Sequence, residues 1–368
     1  MMKSKVYFAG VHSNAGQESL LVKLRKLFDR AGFGEMISQN DIVAVKIHFG
    51  EKGNTAYIRP TYARQIVDKI KEKGGKPFLT DSNTLYNGSR ANGVDHYETA
   101  IYNGFAYAVV NAPIIIADGI LSKNSVDVEI NKKHFDRVKI SKEIASASKM
   151  IVMSHYKGHE NAGFGGAIKN LAMGCAPAAG KQQQHSVVRP KVSRRCVGCE
   201  NCLKYCPAGA ITKEGGHALI GETCIGCGEC ISICPIRAIN PQWDIEIPVF
   251  IERMTEYAYG AVKNKNGNAG FINVLMNITP LCDCYGFSGA YIVPDIGILA
   301  SKDPVAIDAA SYDLVNEQTG NINSSLKCNH GKGEDKFRGL YGNIDGTRQL
   351  SYGEEIGLGS REYELIKI

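Results

Sequence analysis

Cysteine spacing constrains this chain more than any other feature. Cys196-x2-Cys199-x2-Cys202-x3-Cys206-Pro207 is followed by Cys224-x2-Cys227-x2-Cys230-x3-Cys234-Pro235, the same spacing twice. The residues after each proline also match, as Ala208-Gly209-Ala210-Ile211 and Ile236-Arg237-Ala238-Ile239, so the segment is an internal duplication. Eight of the twelve cysteines crowd into positions 196–234. No charged start followed by a long apolar run suggests a secretory leader, so no oxidising compartment is indicated in which these thiols would pair as disulfides. Metal is the better use for them. Two structural zinc sites would explain the CxxC pairs, but not a fourth cysteine three residues on, followed by proline, in both copies. So short a segment has little apolar core of its own, and bound metal would hold it together.

The duplicated run resembles the bacterial two-cluster ferredoxins. In those, three cysteines two residues apart wrap three irons of one cube, and the fourth, at the start of a short helix, reaches the other cube. The resemblance implies two 4Fe–4S clusters. One would be held by Cys196, Cys199, Cys202 and Cys234, the other by Cys224, Cys227, Cys230 and Cys206. Gly198, Gly226 and Gly228 would let backbone amides reach cluster sulfurs. The flanks read as linkers: Ala176-Pro177-Ala178-Ala179-Gly180 with Gln182-Gln183-Gln184 before, and Asn240-Pro241-Gln242 after. An inserted α+β module over residues 187–241 is therefore expected, with its host in two parts, 1–186 and 242–368.

The 368 residues suffice for two ordinary domains or one large one with an insert, and 44% hydrophobic with 22% charged residues is the balance of a soluble globular chain. No apolar run approaches the ~20 residues that span a bilayer, so no membrane span and a cytoplasmic location are expected. The formal charge of +6 would be largely cancelled by two clusters of roughly −2 each. The basic run Lys191, Arg194, Arg195 reads as a solvated connection or a tuner of cluster potential, and no basic stripe interleaved with aromatics suggests a nucleic-acid partner.

Around the insert, apolar runs alternate with helical patterns. Strands are predicted over 5–9, 42–47, 77–80, 114–117 and 150–154, with helices over 20–31, 62–73 and 142–147. Beyond it, helices over 250–264 and 305–317, the latter started by Ser301-Lys302-Asp303-Pro304, alternate with strands over 270–278, 296–300 and 362–368. The alternation predicts an α/β host with a mostly parallel sheet, as one body or as two α/β lobes with a cleft. In such sheets, polar residues beyond strand ends line the ligand crevice. Lys46, His48 and Glu51 follow one strand, Asp81, Ser82 and Asn83 the next, and His155, Lys157 and His159 a third. Gly163-Phe164-Gly165-Gly166-Ala167-Ile168-Lys169-Asn170 precedes a helix with exposed amides and a lysine, which suits a phosphate or carboxylate, although it matches no nucleotide fingerprint. Cys282 and Cys284, at i and i+2, are awkward as a disulfide but could ligate a third metal with His155, His159, Cys175 or Cys328.

Taken together, several motifs resemble domain-of-unknown-function family 362, iron–sulfur centre proteins without a settled activity. They are Lys46-Ile47-His48-Phe49-Gly50-Glu51, Asp81-Ser82-Asn83, His155-Tyr156-Lys157-Gly158-His159, the run Gly163 to Asn170, and the run Asp295 to Asp308. The resemblance covers nearly the whole chain and implies metal binding and redox function. A fainter resemblance is to the nickel-pincer lactate racemases: Gly163, Gly166 and Lys169 fall at matching intervals, while Ala167 departs from the pattern.

Three functions compete. In an oxidoreductase, the module would deliver electrons to a substrate, an anionic cofactor or a metal in the cleft, where Lys46, His48, Asp81, His155, His159 and Lys169 bind or protonate it, with Gly163, Gly165, Gly166 and Asn170 beside the anion. A ferredoxin, a flavoprotein or an oxidoreductase subunit would then be the redox partner. A non-catalytic carrier docking on a larger complex would leave the cleft without a ligand. A metal- or cluster-handling protein would use Cys282 and Cys284 as transfer ligands.

Overall fold

Largely apolar runs such as Ile-Val-Ala-Val-Lys-Ile and Ala-Gly-Phe-Ile-Asn-Val-Leu suit strands buried on both faces, and such strands build the centre of the molecule. The computed structural model describes residues 3–86, 88–185, 189–224, 226–240 and 246–368. Strands β1 (Ser4–Gly10), β2 (Ile42–Ile47), β3 (Lys76–Asp81), β4 (Ile114–Ile116), β5 (Lys149–His155), β6 (Ala269–Leu275), β7 (Gly297–Ser301) and β8 (Tyr363–Lys367) form one sheet in the order β8-β1-β7-β6-β5-β2-β3-β4. Only β7 runs against its neighbours, β1 and β6; every other pairing is parallel. The host is thus α/β with a mostly parallel sheet. Both of its parts contribute strands to that single sheet.

Helices cover both faces. On one side α1 (Leu20–Arg30) and α2 (Pro60–Glu72) bury Leu24, Leu27 and Phe28, and Ile66, Val67 and Ile70, against Val43, Val45 and Ile47. These apolar positions recur at three- and four-residue intervals, the spacing of one helical face. On the other side lie α3 (Ala167–Ala172), α4 (Ala178–His185), α5 (Ile247–Lys263) and α6 (Pro304–Asn316). Asp303 caps α6, its carboxylate accepting from the Val305 and Ala306 amides at 2.9 and 3.0 Å ahead of Pro304 in the first turn.

The predicted strands and helices all appear, with ends shifted by a few residues. The expected linker over residues 176–184 does not: it holds α4, with Lys181, Gln182 and Gln184 buried. Alanine, lysine and glutamine favour helix, and tertiary burial overrides the low-complexity look of the segment. The expected boundaries at 186–187 and 241–242, with Pro241 and Gln242, lie outside the described residues.

In the cysteine-rich segment, Lys191–Val192 pairs antiparallel with Ile239–Asn240, so its two ends meet. Between them lie the helices Asn201–Lys204 and Glu229–Ile233 and the hairpin Ile211–Glu214 with His217–Ile220. The segment sits on α4. Gly228, at φ +76°, comes so close that a Cβ there would lie 2.7 Å from the Gln182 Cβ and 3.1 Å from the Ala179 Cα. Glu229 pairs with Lys139 of the host at 3.3 Å.

Candidate functional site

The parallel strands β2, β3, β5 and β6 end on one edge of the sheet, and each delivers polar groups there: His48, Asp81, His155 and the chain that runs on to Cys282. A cavity of about 680 Å³ opens at this edge, a volume ordinary for a small-molecule site. Its cations are Arg90, Lys157, Lys169 and Lys181, and its wall includes His48, His159, Cys282 and Cys284.

Lys46 does not form part of that wall. Its fully buried ammonium is spent on Asp81 at 2.9 Å and on the Asn170 side-chain carbonyl at 2.6 Å. Arg90, also buried, stands 3.2 Å from Glu51 and 3.5 Å from Asp81. Burial alone would raise the Asp81 pKa, but Lys46, His48, His96 and Arg90 hold it well below the usual carboxylate range. Lys46, behind the cavity, and Arg90, at its wall, therefore neutralise the carboxylates of Asp81 and Glu51.

At the cavity wall the two thiols of Cys282 and Cys284 lie 2.8 Å apart. Their shared hydrogen bond lowers the Cys284 pKa to about 5 against the pull of burial, helped by Lys169, Arg90 and Lys157, while Cys282 is pushed well above its ordinary value. These shifts favour the thiolate on Cys284, with Cys282 as its donor. Lys169 stands 3.6 Å from the Cys282 sulfur; burial works against its charge, but the two sulfurs keep its pKa raised. His48 reaches Cys284 with Nε2 at 3.4 Å, and its Nδ1 accepts from the Gly50 amide at 2.9 Å. Burial and Arg90 lower the His48 pKa to about 3, so the ring is neutral and its proton sits on Nε2, facing the thiolate. The ligand atoms of His48, Cys282 and Cys284 lie within 4.8 Å of one another, close enough to share a metal. Cys175, in the core, and Cys328, on the surface, are not part of this group.

Iodoacetamide is expected to alkylate Cys284 almost as fast at pH 6 as at pH 8. An ordinary thiol of pKa ~8.5 slows roughly 75-fold over that range. Peptide-resolved labelling rates check this, and a slowing of the ordinary size would rule out the thiolate.

His155 has a supporting place. Its Nδ1 faces the Asp283 carboxylate at 2.8 Å and its Nε2 faces the carbonyls of Met276 and Asn277 at 3.0 and 3.1 Å, so both ring nitrogens are engaged away from the thiols. Asp283 also takes Lys157 at 3.4 Å, and burial notwithstanding, these partners hold its carboxyl far below the usual range. His159 accepts the Asn161 and Ala162 amides on Nδ1, both at 3.2 Å. Burial, with Lys169 nearby, lowers its pKa far enough to keep it neutral, so Nε2 is left as a donor.

The glycine-rich turn departs from its expected role. The amides that open α3, of Ala167 and Ile168, donate to the carboxylate of Asp308 at 2.7 and 2.9 Å. The helix start already has an anion, supplied by the chain itself. Gly163 and Gly165 lie in a short strand paired with Lys157–His159, where Gly163 (φ +76°) abuts Gly346. Asn170 is committed to Lys46, the Met153 carbonyl and Ser154. Of this run, Gly166, Lys169 and Asn170 border the cavity.

Two small cavities mark the cysteine-rich segment. Cys196, Cys199, Cys202 and Cys234 line one; Cys206, Cys224, Cys227 and Cys230 line the other. The fourth cysteine of each run thus sits with the other run's three. The Ala210 and Ala238 amides point at the Cys206 and Cys234 sulfurs from 3.2 and 3.1 Å, and the Ala218 and Gly226 amides at those of Cys196 and Cys224 from 3.4 Å. Four soft sulfur donors per cavity, with amides directed at them, suit a cluster or another thiophilic metal. The cavity of Cys206 borders the side of the segment that rests on α4, through Gly228, and Lys181 and His185 of that helix line the host cavity.

The sequence model of domain-of-unknown-function family 362 matches residues 43–313. The chain belongs to this family. The match runs from β2 to α6 and takes in both the cavity and the cysteine-rich segment. A thylakoid-associated protein of Synechocystis sp. is 28% identical over 189 residues, covering 50% of this chain and 52% of that protein. The chain thus spans about half the length of this curated relative. The lactate racemase apoprotein of Thermoanaerobacterium thermosaccharolyticum aligns with 69% of this chain and 49% of its own at 15% identity and a TM-score of 0.37. A Thermotoga maritima protein aligns with 72% of this chain and 51% of its own at 9% identity and a TM-score of 0.34. Among the described residues of this family member, no helix is long and apolar enough to cross a membrane.

Arg90, Lys181, His185 and Asp283 reach or support the site unannounced by the sequence. Arg90 lies in a loop with no motif, Lys181 lies within the stretch expected to be linker, and His185 directly follows it. Asp283 could have been found as the residue between two cysteines already marked.

Proposed function

We propose that this chain is an iron–sulfur oxidoreductase, in which residues 187–241 form an inserted module holding two 4Fe–4S clusters and the host cavity holds what is reduced. The observation that carries the reading is the pair of four-thiol cavities, each completed by the fourth cysteine of the other run. The pairing of Lys191–Val192 with Ile239–Asn240 supports an insert that closes on itself. The clusters supply single electrons. The residues of the chain do the rest: backbone amides stabilise the sulfurs, and α4 separates the module from the cavity by one helix. Inside, Lys157, Lys169 and Lys181, with the Nε2 donor of His159, would orient an anionic ligand. The nearest donors for a third metal are His48, Cys282 and Cys284. The electrons would come from a cytoplasmic redox partner, a ferredoxin, a flavoprotein or an oxidoreductase subunit.

The test is iron and acid-labile sulfide per chain in anaerobically purified protein, with electron paramagnetic resonance after dithionite. About eight of each, and a reduced-cluster signal, are expected. Zinc in place of iron would overturn the reading.

A further inference from the structure

We propose that Cys282 and Cys284 are a redox-active dithiol–disulfide couple that takes up two electrons and passes them together to a small, carboxylate-bearing disulfide in the host cavity. The couple rests on the cluster reading only for its reductant. Three observations carry it. First, the sulfurs are 2.8 Å apart. Two corners of a tetrahedral zinc site, with bonds of ~2.3 Å, would be about 3.8 Å apart. A bonded pair lies at ~2.0 Å, so closing to a disulfide needs a shift of less than about 1 Å.

Second, the loop is pinned so that the two sulfurs stay together. Asp283 between them is buried against His155 at 2.8 Å and Lys157 at 3.4 Å, its carbonyl accepts the Glu51 amide at 3.0 Å, and the Tyr86 hydroxyl donates to the Cys284 carbonyl at 3.0 Å. A disulfide between residues so near in sequence closes a small, strained ring, and strained disulfides are the ones readily reduced again. That property suits a couple and not a structural bridge. Third, the sulfur charge released on reduction has donors in place, His48 Nε2 at 3.4 Å from Cys284 and Lys169 at 3.6 Å from Cys282.

The step balances. The Cys282–Cys284 sulfur–sulfur bond takes two electrons, one from each cluster, and one proton from solvent; it breaks to a thiol on Cys282 and a thiolate on Cys284. That thiolate attacks one sulfur of the substrate disulfide and expels the other half as a thiolate, which takes a proton from solvent. Cys282 then attacks the Cys284 sulfur, gives up its proton, and the second thiol leaves as the disulfide re-forms. Lys157, Lys181 and His159 provide for the carboxylates of such a substrate.

The tryptic peptide 266–302 carries these two cysteines and no others, which makes the couple readable apart from the cluster ligands. Whole protein would be equilibrated anaerobically with mixtures of reduced and oxidised dithiothreitol, quenched in acid and alkylated with N-ethylmaleimide. The peptide is expected to pass from two maleimides to none, with a loss of two hydrogens, in a single two-electron step. With oxidised glutathione as the probe substrate, Cys282→Ser is expected to leave a glutathione adduct on Cys284, and the unaltered protein to release two thiols per disulfide. Double alkylation in every mixture would overturn the couple. So would a peptide shielded by one zinc or nickel per chain. Iron and sulfide on the same samples judge the cluster reading separately, since the couple can form with few irons and can fail with eight.

Discussion

Replacing Cys206 and Cys224 together by alanine is expected to leave about four of eight irons, whereas replacing Cys206 and Cys196 together is expected to leave almost none. The contrast follows from which sulfurs share a cavity. Cys206 lies with Cys224, Cys227 and Cys230, although it follows Cys196, Cys199 and Cys202 in sequence. The first double variant therefore damages one four-thiol set and the second damages both. If each run closed on its own metal, the outcomes would be exchanged. Losing one cluster should not collapse the module, because the strands at its neck and the seat of Gly228 on α4 hold it from outside. Iron per chain and the intensity of the reduced-cluster signal read the result. A four-iron remnant in the Cys196 variant, and not in the Cys224 variant, would reverse the assignment.

The sequence announced the two four-thiol cavities because the spacing of their cysteines is written in two short runs of the chain. The sheet was legible for a related reason: β2, β3 and β5 are short, largely buried runs, and the polar groups at or just past their ends, His48, Asp81 and His155, do converge. Roles were harder to read than places. Lys46 and Asn170 sit at the strand end and in the helix where a ligand could be met, but they bond each other, and Lys46 also pairs with Asp81. The amides of the glycine-rich turn looked free until Asp308, 140 and 141 residues further on, was found to take them. Contacts at such separation leave no periodic trace. The same holds for Arg90, whose partners Glu51 and Asp81 are brought to it only by the packed fold. Polar composition hid α4, because its buried face meets the module and the cavity and carries no apolar stripe.

Lys46 is where the difference between place and role has the largest energetic consequence. Lys46→Ala is expected to cost about 3–5 kcal/mol of folding stability at pH 7, because it leaves the buried Asp81 carboxylate without its nearest cation. Arg90, at 3.5 Å from Asp81 and shared with Glu51, replaces only part of that interaction. The pH dependence has a definite sign. The Asp81 pKa is lower in the folded state than in the unfolded one, so its contribution is complete above the ordinary carboxylate range near 4 and is lost as the pH falls through the folded value. The gap between the natural protein and Lys46→Ala should therefore narrow as the pH drops from 5 towards 3. Removing both charges, with Lys46→Met and Asp81→Leu together, should cost much less than the two single changes summed, since neither charge is then stranded. Urea titration of the anaerobic protein and the four variants, Lys46→Ala, Lys46→Met, Asp81→Leu and the double change, measures each term. A Lys46→Ala loss below about 1 kcal/mol, or strict additivity in the double variant, would mean that the pair is not coupled, and would return Lys46 to the cavity as a ligand-binding residue.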